Sequence, residues 1–465
     1  MKLYTKKNHD RVKAKIAEES VIFISILKWF VLSTAIGVIV GVATAFFLKI
    51  LEWATLQTHV SPYYFLFLPI AFFLSALMIK YLAPGAEGHG TEKVIEAVHK
   101  QSGKINPMVV PIKLITTVIT LAFGGSAGKE GPCAQIGAGL ASIFASLFRF
   151  DDLDRKKLVI CGISAGFASV FGTPIAGAIF GVEVLMVGNV LYEVLFPCFI
   201  AGVTSYQVSS AIGITYYYHP MHLIPVFKEL FFIKVALAGI FFGIVSFVLI
   251  ELLKLGKKLS DRLKIWPPFK GILGGLLLAG LALAISDRYL GLGLSSIEDT
   301  LQGLNMVWYA FILKIIFTSI TLNFGGSGGI VTPIFFIGVT AGNLFAQIWG
   351  LDIATFSAIG MVALLAGAAN TPIAASIMAV ELFGPQIAPY AAVACVISFL
   401  MTGHRSVYPS QILSVTKSPS FELEIGDDID STHVHFKPRK KSLIGAFLLA
   451  FESLKSRKNR KMREH

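Results

Sequence analysis

A chain of 465 residues that is 55% hydrophobic and 15% charged, with a mean hydropathy of +0.72, has too little polar side chain to cover a soluble globule, whose charged share is about 25%. The net charge of +12 gathers toward the two ends, and reads as membrane topology and lipid-headgroup contact rather than nucleic-acid binding. Four cysteines, at 133, 161, 198 and 395, stand singly in apolar sequence without a C-x-x-C pair, which argues against a disulfide framework and a zinc set.

The chain opens with Lys2, Lys6, Lys7, Arg11, Lys13 and Lys15, and then runs apolar over 21–51, broken only by Lys28 and Lys49. About 20 residues of helix cross the hydrocarbon core. The segment 1–20 therefore reads as a basic cytoplasmic lead into a first span, without the small-residue cleavage pattern of a signal peptide. Further apolar runs over 230–252, 271–285 and 356–382 make the protein integral and polytopic. The basic tail, from Lys437 to Arg463, places the second terminus in the cytoplasm as well.

The middle of the chain says one thing twice. Residues 113–132 read K-L-I-T-T-V-I-T-L-A-F-G-G-S-A-G-K-E-G-P, and 314–333 read K-I-I-F-T-S-I-T-L-N-F-G-G-S-G-G-I-V-T-P, an offset of 201 residues (113 to 314). Thr173-Pro-Ile-Ala176, with Ile179 and Glu183, recurs as Thr371-Pro-Ile-Ala374, with Ile377 and Glu381. These pairs divide the chain into a membrane repeat over 21–213, a linker over 214–226, a second repeat over 227–415, and a polar, basic cytoplasmic tail over 416–465 with an amphipathic piece at 443–454. A twofold repeat whose shared words are glycine-rich breaks inside apolar sequence is the signature of a transport protein with its site between the halves.

The breaks carry the chemistry. Segments 131–147, 173–187, 332–345 and 371–383 look too short to span upright, and broken backbone at membrane depth survives only where protein or a wet cavity satisfies it. Pro132 and Pro333 suit the first turn of a helix. Each break then ends as a helix N-terminus with unpaired N–H groups and about half a positive charge, and two such ends converging would make an anion site, with Gly128, Lys129 and Gly131 on one side and Gly329 on the other.

Glu130 is the unmatched residue, because its counterpart is Val331. Beside an anion site a glutamate is a tethered competitor that leaves when protonated. Two plainer roles stay open: a solvated carboxylate at a mouth, and a pair with Lys129. Glu183 and Glu381 occur in both repeats, which favours a structural role. Lys113 and Lys314 are matched as well, and read as snorkelling or packing residues.

Three motif matches fail on context. Residues 124–130 fall one short of a phosphate loop, and Lys129 is followed by Glu130. Gly162-Ile-Ser-Ala-Gly166 lies inside an apolar helix rather than on a strand-to-helix turn. His89 has no partner at metal-ligand spacing. Neither an enzyme nor a cofactor is expected.

With Gly128-Lys-Glu-Gly-Pro132, Gly328-Gly-Ile-Val-Thr-Pro333 and Tyr408 after Thr402-Gly-His-Arg405 in view, the chain resembles the CLC family of chloride channels and proton-coupled chloride transporters over roughly 21–415. With only fifty or so residues after Val415, the resemblance is to the prokaryotic type without CBS domains. It implies an all-α polytopic membrane protein: two inverted-topology repeats of broken and tilted helices, in a homodimer with one anion pathway per subunit, in an inner or plasma membrane. It implies that Glu130 is the gating residue on the extracellular side. Backbone N–H groups near Ile330 and Val331, and the Tyr408 hydroxyl, would hold a central chloride or similar small anion.

Two departures from the family pattern matter. Where the family carries G-S-G-x-P, this chain reads Gly88-His-Gly-Thr-Glu92, so His89 replaces the serine that contacts the anion. Either the imidazole donates to the anion, or His89 turns aside and backbone at Gly88 or Gly90 serves. In Gly181-Val-Glu-Val184 the second of two acids, the usual internal proton acceptor, is Val184. The reading is therefore channel-like anion movement, with proton-coupled antiport as the alternative through Glu130, Glu183 and the Val184 position. Chloride is the family default; nitrate, bromide and fluoride stay open.

Overall fold

Eight helices follow one another in the same order in each half. The first half holds α1 (Lys2–Thr58), α2 (Leu68–Leu82), α3 (Thr91–Lys100), α4 (Val109–Ala122), α5 (Glu130–Leu147), α6 (Asp152–Phe171), α7 (Pro174–Glu183) and α8 (Tyr192–Ala211). The second holds α9 (Glu229–Arg262), α10 (Pro267–Ala284), α11 (Leu294–Leu301), α12 (Ala310–Asn323), α13 (Val331–Trp349), α14 (Ile353–Ala369), α15 (Pro372–Phe383) and α16 (Ala388–Met401). The computed structural model describes residues 2–216, 218–220, 229–422, 425–431 and 435–436. The amphipathic piece 443–454, most of the tail and the linker residues 221–226 lie outside the described residues. Helix α1 runs through the 20/21 boundary without a break. Two-residue strands add one parallel pair, β1 (Met186–Val187) with β2 (Ile412–Leu413).

Among the described residues, six helical stretches are long and apolar enough to cross a bilayer, including 17–58, 230–262 and Val331–Trp349. The last corrects the reading of 332–345 as too short. Helix α13 continues to Trp349, and Gly350, in the left-handed region at φ 59°, ends it. Helices α7 and α15, of 10 and 12 residues, are as short as expected.

The contacts between the two halves are reciprocal. Helix α2 packs on its own counterpart α10, and α7 on α15. Ser126 N–H donates to Thr321 Oγ1 (3.0 Å), and Ser327 N–H donates to Thr120 Oγ1 (2.9 Å). Thr120 and Thr321 are the same position in the repeated I-T-L words. Side-chain hydroxyls thus take over the backbone donors that the breaks set free, in a place where water cannot.

The matched T-P-I-A helices are tied in the same way. The Glu183 carboxylate accepts from the N–H groups of Ile373 (3.0 Å) and Ala374 (2.8 Å) at the start of α15. Glu381 accepts from Ile175 (3.0 Å) and Ala176 (2.8 Å) at the start of α7. Each glutamate caps the helix of the other repeat, where a carboxylate meets both unpaired donors and the positive end of the helix dipole. Glu183→Ala orphans one buried donor, Ala374 N–H, and one part-buried donor, Ile373 N–H, and is expected to cost about 1–3 kcal/mol, read as a lower unfolding midpoint in detergent. Unchanged stability with lost transport would instead mark Glu183 as a transport group.

The long helices pack closely through glycine. A Cβ on Gly338 of α13 would stand 2.5 Å from the Gly360 carbonyl oxygen of α14, and Gly137 of α5 meets Gly162 of α6 in the same manner. Small residues at such crossings let backbones approach where lipid offers no hydrophobic drive between helices.

Candidate anion-binding site

The two breaks meet. Gly128 N–H donates to Gly329 O (2.7 Å), and Gly329 N–H donates to Gly128 O (2.6 Å). A Cβ on Gly329 would fall 2.7 Å from the Gly131 nitrogen, so only glycine allows this approach. Helices α5 and α13 begin within two residues of the contact and lead away from it, each with proline in its first turn. Both helix ends therefore converge on one buried point, as the repeated motif predicts.

Glu130 is 1% exposed and reaches across to the other repeat. Its Oε2 accepts from Thr332 N–H (3.1 Å), and its Oε1 from the Thr332 hydroxyl. The carboxylate thus sits on the N-terminus of α13, where a free anion would bind. It is not a solvated group at a mouth, and among the described residues it forms no ion pair with Lys129. Lys129 instead lines, with Glu130, Thr332, Phe335, Tyr216 and Glu298, a cavity of ≈ 360 Å³ on one side of the carboxylate. The N–H groups of Ile330 and Val331, fully buried, have no protein acceptor among the described residues.

The Gly88-His89-Gly90 loop packs against the start of α5. A Cβ on Gly90, which has φ +84°, would lie 2.5 Å from Gly131 O. The His89 and Tyr408 rings face each other at 5.5 Å between centroids. His89 Nδ1 is buried without a hydrogen-bond partner, and the buried Thr91 Oγ1 and Tyr408 Oη have no partner beyond each other. Each such atom costs about 1–3 kcal/mol unless something hydrogen-bonds to it. Three under-satisfied polar atoms thus gather at this buried place and make it a polar chamber.

Lysine braces this loop. Lys113 Nζ donates to Ala86 O (3.1 Å) and Gly88 O (2.6 Å), and its counterpart Lys314 donates to Tyr289 O (3.1 Å) and Gly291 O (2.9 Å). Both lysines are 0% exposed, so the packing half of the expectation holds and the snorkelling half is corrected. The carbonyls of a tight loop offer the ammonium groups more than a distant interface does.

Of the residues picked from sequence, Gly88, His89, Gly90, Gly128, Glu130, Gly131, Gly329, Ile330, Val331 and Tyr408 gather here. Glu183 and Val184 do not: they end α7, with Glu183 committed to α15 and the Val184 carbonyl accepting from Gln411 Nε2 (2.8 Å). Sequence reasoning missed Thr332 and Thr91. The signal available for Thr332 was a hydroxyl directly before Pro333 at a helix start.

Two inverted eight-helix repeats with opposed half-helices at the centre define an integral membrane transport protein. The profile of the voltage gated chloride channel family matches residues 70–403, and the chain belongs to this family, the CLC family. The chloride/fluoride channel protein of Pseudomonas syringae pathovar tomato is 38% identical over 400 residues, spanning 84% of this chain and 88% of its own. A CLC-type fluoride/proton antiporter has the same fold with a TM-score of 0.80 and 29% identity, over 84% of this chain and 99% of the other. A slow cyanobacterial Cl−/H+ antiporter shares the fold at a TM-score of 0.70 and 21% identity, over 80% of this chain and 94% of the other.

Proposed function

We propose that this protein moves a chloride-like anion across the membrane by a route that Glu130 opens and closes. The observation that carries the reading is the Glu130 carboxylate seated on the α13 N-terminus, fully buried and held by Thr332. A carboxylate there competes with the transported anion for the same donors. Protonation removes its charge and frees Thr332 N–H, so acid favours the open state. The anion then rests in the chamber of His89, Thr91 and Tyr408, with the Ile330 and Val331 N–H groups as further donors. Partial charges and neutral donors hold such an ion without trapping it.

Passive, channel-like movement is the first reading, because the Val184 position offers no acid. Proton-coupled exchange is the second, supported by the 29% identical fluoride/proton antiporter. Chloride is the proposed substrate, and fluoride is its main rival on the names of the relatives. The working unit is proposed to be a homodimer in a lipid bilayer, in the inner or plasma membrane, with both termini cytoplasmic, without cofactor and without nucleic acid. Liposome flux with an anion series and a pH electrode tests all of this. A chloride gradient that drives protons uphill, lost in Glu130→Gln, selects exchange; chloride flux without proton movement selects the channel.

A further inference from the structure

The proton-coupled reading lacks an inner acid, since Val184 is apolar and both Glu183 oxygens cap α15. One other carboxylate stands beside the chamber. Glu92 is the second residue of α3 and directly follows Thr91. Its Oε1 accepts from Ser410 N–H (2.9 Å) and from the Ser410 hydroxyl, which ties it to the loop carrying Tyr408. Its Oε2 is sealed from solvent with no hydrogen-bond partner, and is the one carboxylate oxygen so placed among the described residues. The residue as a whole is only partly enclosed. Glu92 therefore joins two environments: one oxygen is sealed from solvent, in a carboxylate whose charge acts on Tyr408, while the side chain as a whole stays part-exposed.

The charges within reach of Glu92 are Lys93 and Glu96 on the same helix, paired with each other at 3.0 Å, and Lys100 one turn further along. Toward this chamber act Glu130 from α5, on Tyr408, and Lys113 of α4 and Lys257 of α9, on His89. No cation is paired with the Glu92 carboxylate in the described structure, so it is free to take up and release a proton.

We infer that Glu92 is the inner proton-exchange group of this protein, doing from α3 what an acid at position 184 would do from α7. This rests on the proton-coupled reading above. In one transfer the O–H bond at Glu92 breaks and an O–H bond forms at Glu130, by way of water hydrogen-bonded to His89, Thr91 and Tyr408. Glu92 is left as a carboxylate and regains its proton from the inner solution. No oxidant or further reactant is required.

The test uses the full chain in liposomes, with chloride and proton fluxes recorded together. For Glu92→Gln the proton-to-chloride ratio is expected to fall at least tenfold. Ser410→Ala keeps the carboxylate but removes one donor that favours its charged form, so the inner pH at half-maximal proton flux should rise by about one unit. A merely structural Glu92 would not move that midpoint. Should Glu92→Gln fail to fold, the Ser410→Ala midpoint alone decides. An unchanged ratio in Glu92→Gln, or an unmoved midpoint in Ser410→Ala, overturns the assignment while leaving coupling intact. Wild-type chloride flux without proton movement overturns the coupled reading and this inference together.

Discussion

With Glu130 replaced by alanine, anion flux through reconstituted protein is expected to persist while its dependence on outside pH, and any proton flux, disappears. The argument is one of competition. In the wild type the α13 N-terminus is occupied by a carboxylate that never diffuses away, and its effective concentration at Thr332 is set by a short tether. On the proposed gate, flux at neutral pH is limited by how often that carboxylate leaves. Acid protonates it, so wild-type flux rises as pH falls. Removing it abolishes the titrating group and frees Thr332 N–H, and the flux–pH curve becomes flat at or above the acid level of the wild type. Glu130→Gln should lie between, since the amide is uncharged but still fills the space. Chloride efflux from liposomes at several outside pH values reads this directly. A Glu130→Ala protein that is folded, by gel filtration and thermal midpoint, yet dead for chloride would falsify the gate.

The second large effect concerns His89 and Tyr408. Tyr408→Phe and His89→Ala each remove one donor from the chamber, and a hydrogen bond to a charged partner is worth about 1.5–3 kcal/mol. Each change should therefore weaken chloride binding by roughly ten- to a hundredfold. The two rings lie tilted at 5.5 Å between centroids, so on the proposed site they serve one anion, and the double variant should lose less than the product of the singles. Titration calorimetry of halide into the detergent-solubilised protein measures all three. His89→Ser, which restores the residue the family usually carries, should recover most of the affinity. Unchanged binding in both single variants would mean that the anion rests elsewhere, with backbone at Gly88 and Gly90 the next place to look.

The helix-end architecture is legible in the amino-acid sequence, and the reason lies in particular residues. The words F-G-G-S repeat at 123–126 and 324–327, and each leads to a proline in the following helix start, at Pro132 and Pro333. Such breaks are tolerated in a membrane only inside protein or beside a wet cavity, so their place in the interior follows from local chemistry. The same repeats even hold matched N-caps: Asp151 accepts from Asp154 N–H (2.7 Å) and Asp352 from Thr355 N–H (2.8 Å). What could not be read is where repeat symmetry ends. Glu130 faces Val331 in the alignment of the halves, but Thr332 in space. The partner of Glu183 is likewise not its neighbour Val184 but the α15 backbone, 190 residues away at Ile373.

Residue order alone determined that this chain is a two-repeat integral membrane protein with broken helices opposed at its centre, because hydropathy, glycine and proline act within one or two turns of their own position. The tertiary structure decided which side chains those helix ends receive. Glu130 on Thr332, Glu183 and Glu381 on each other's helices, and His89 against Tyr408 are all contacts between segments far apart in the chain. Their register depends on how two similar halves rotate onto one another, and no local propensity encodes that rotation.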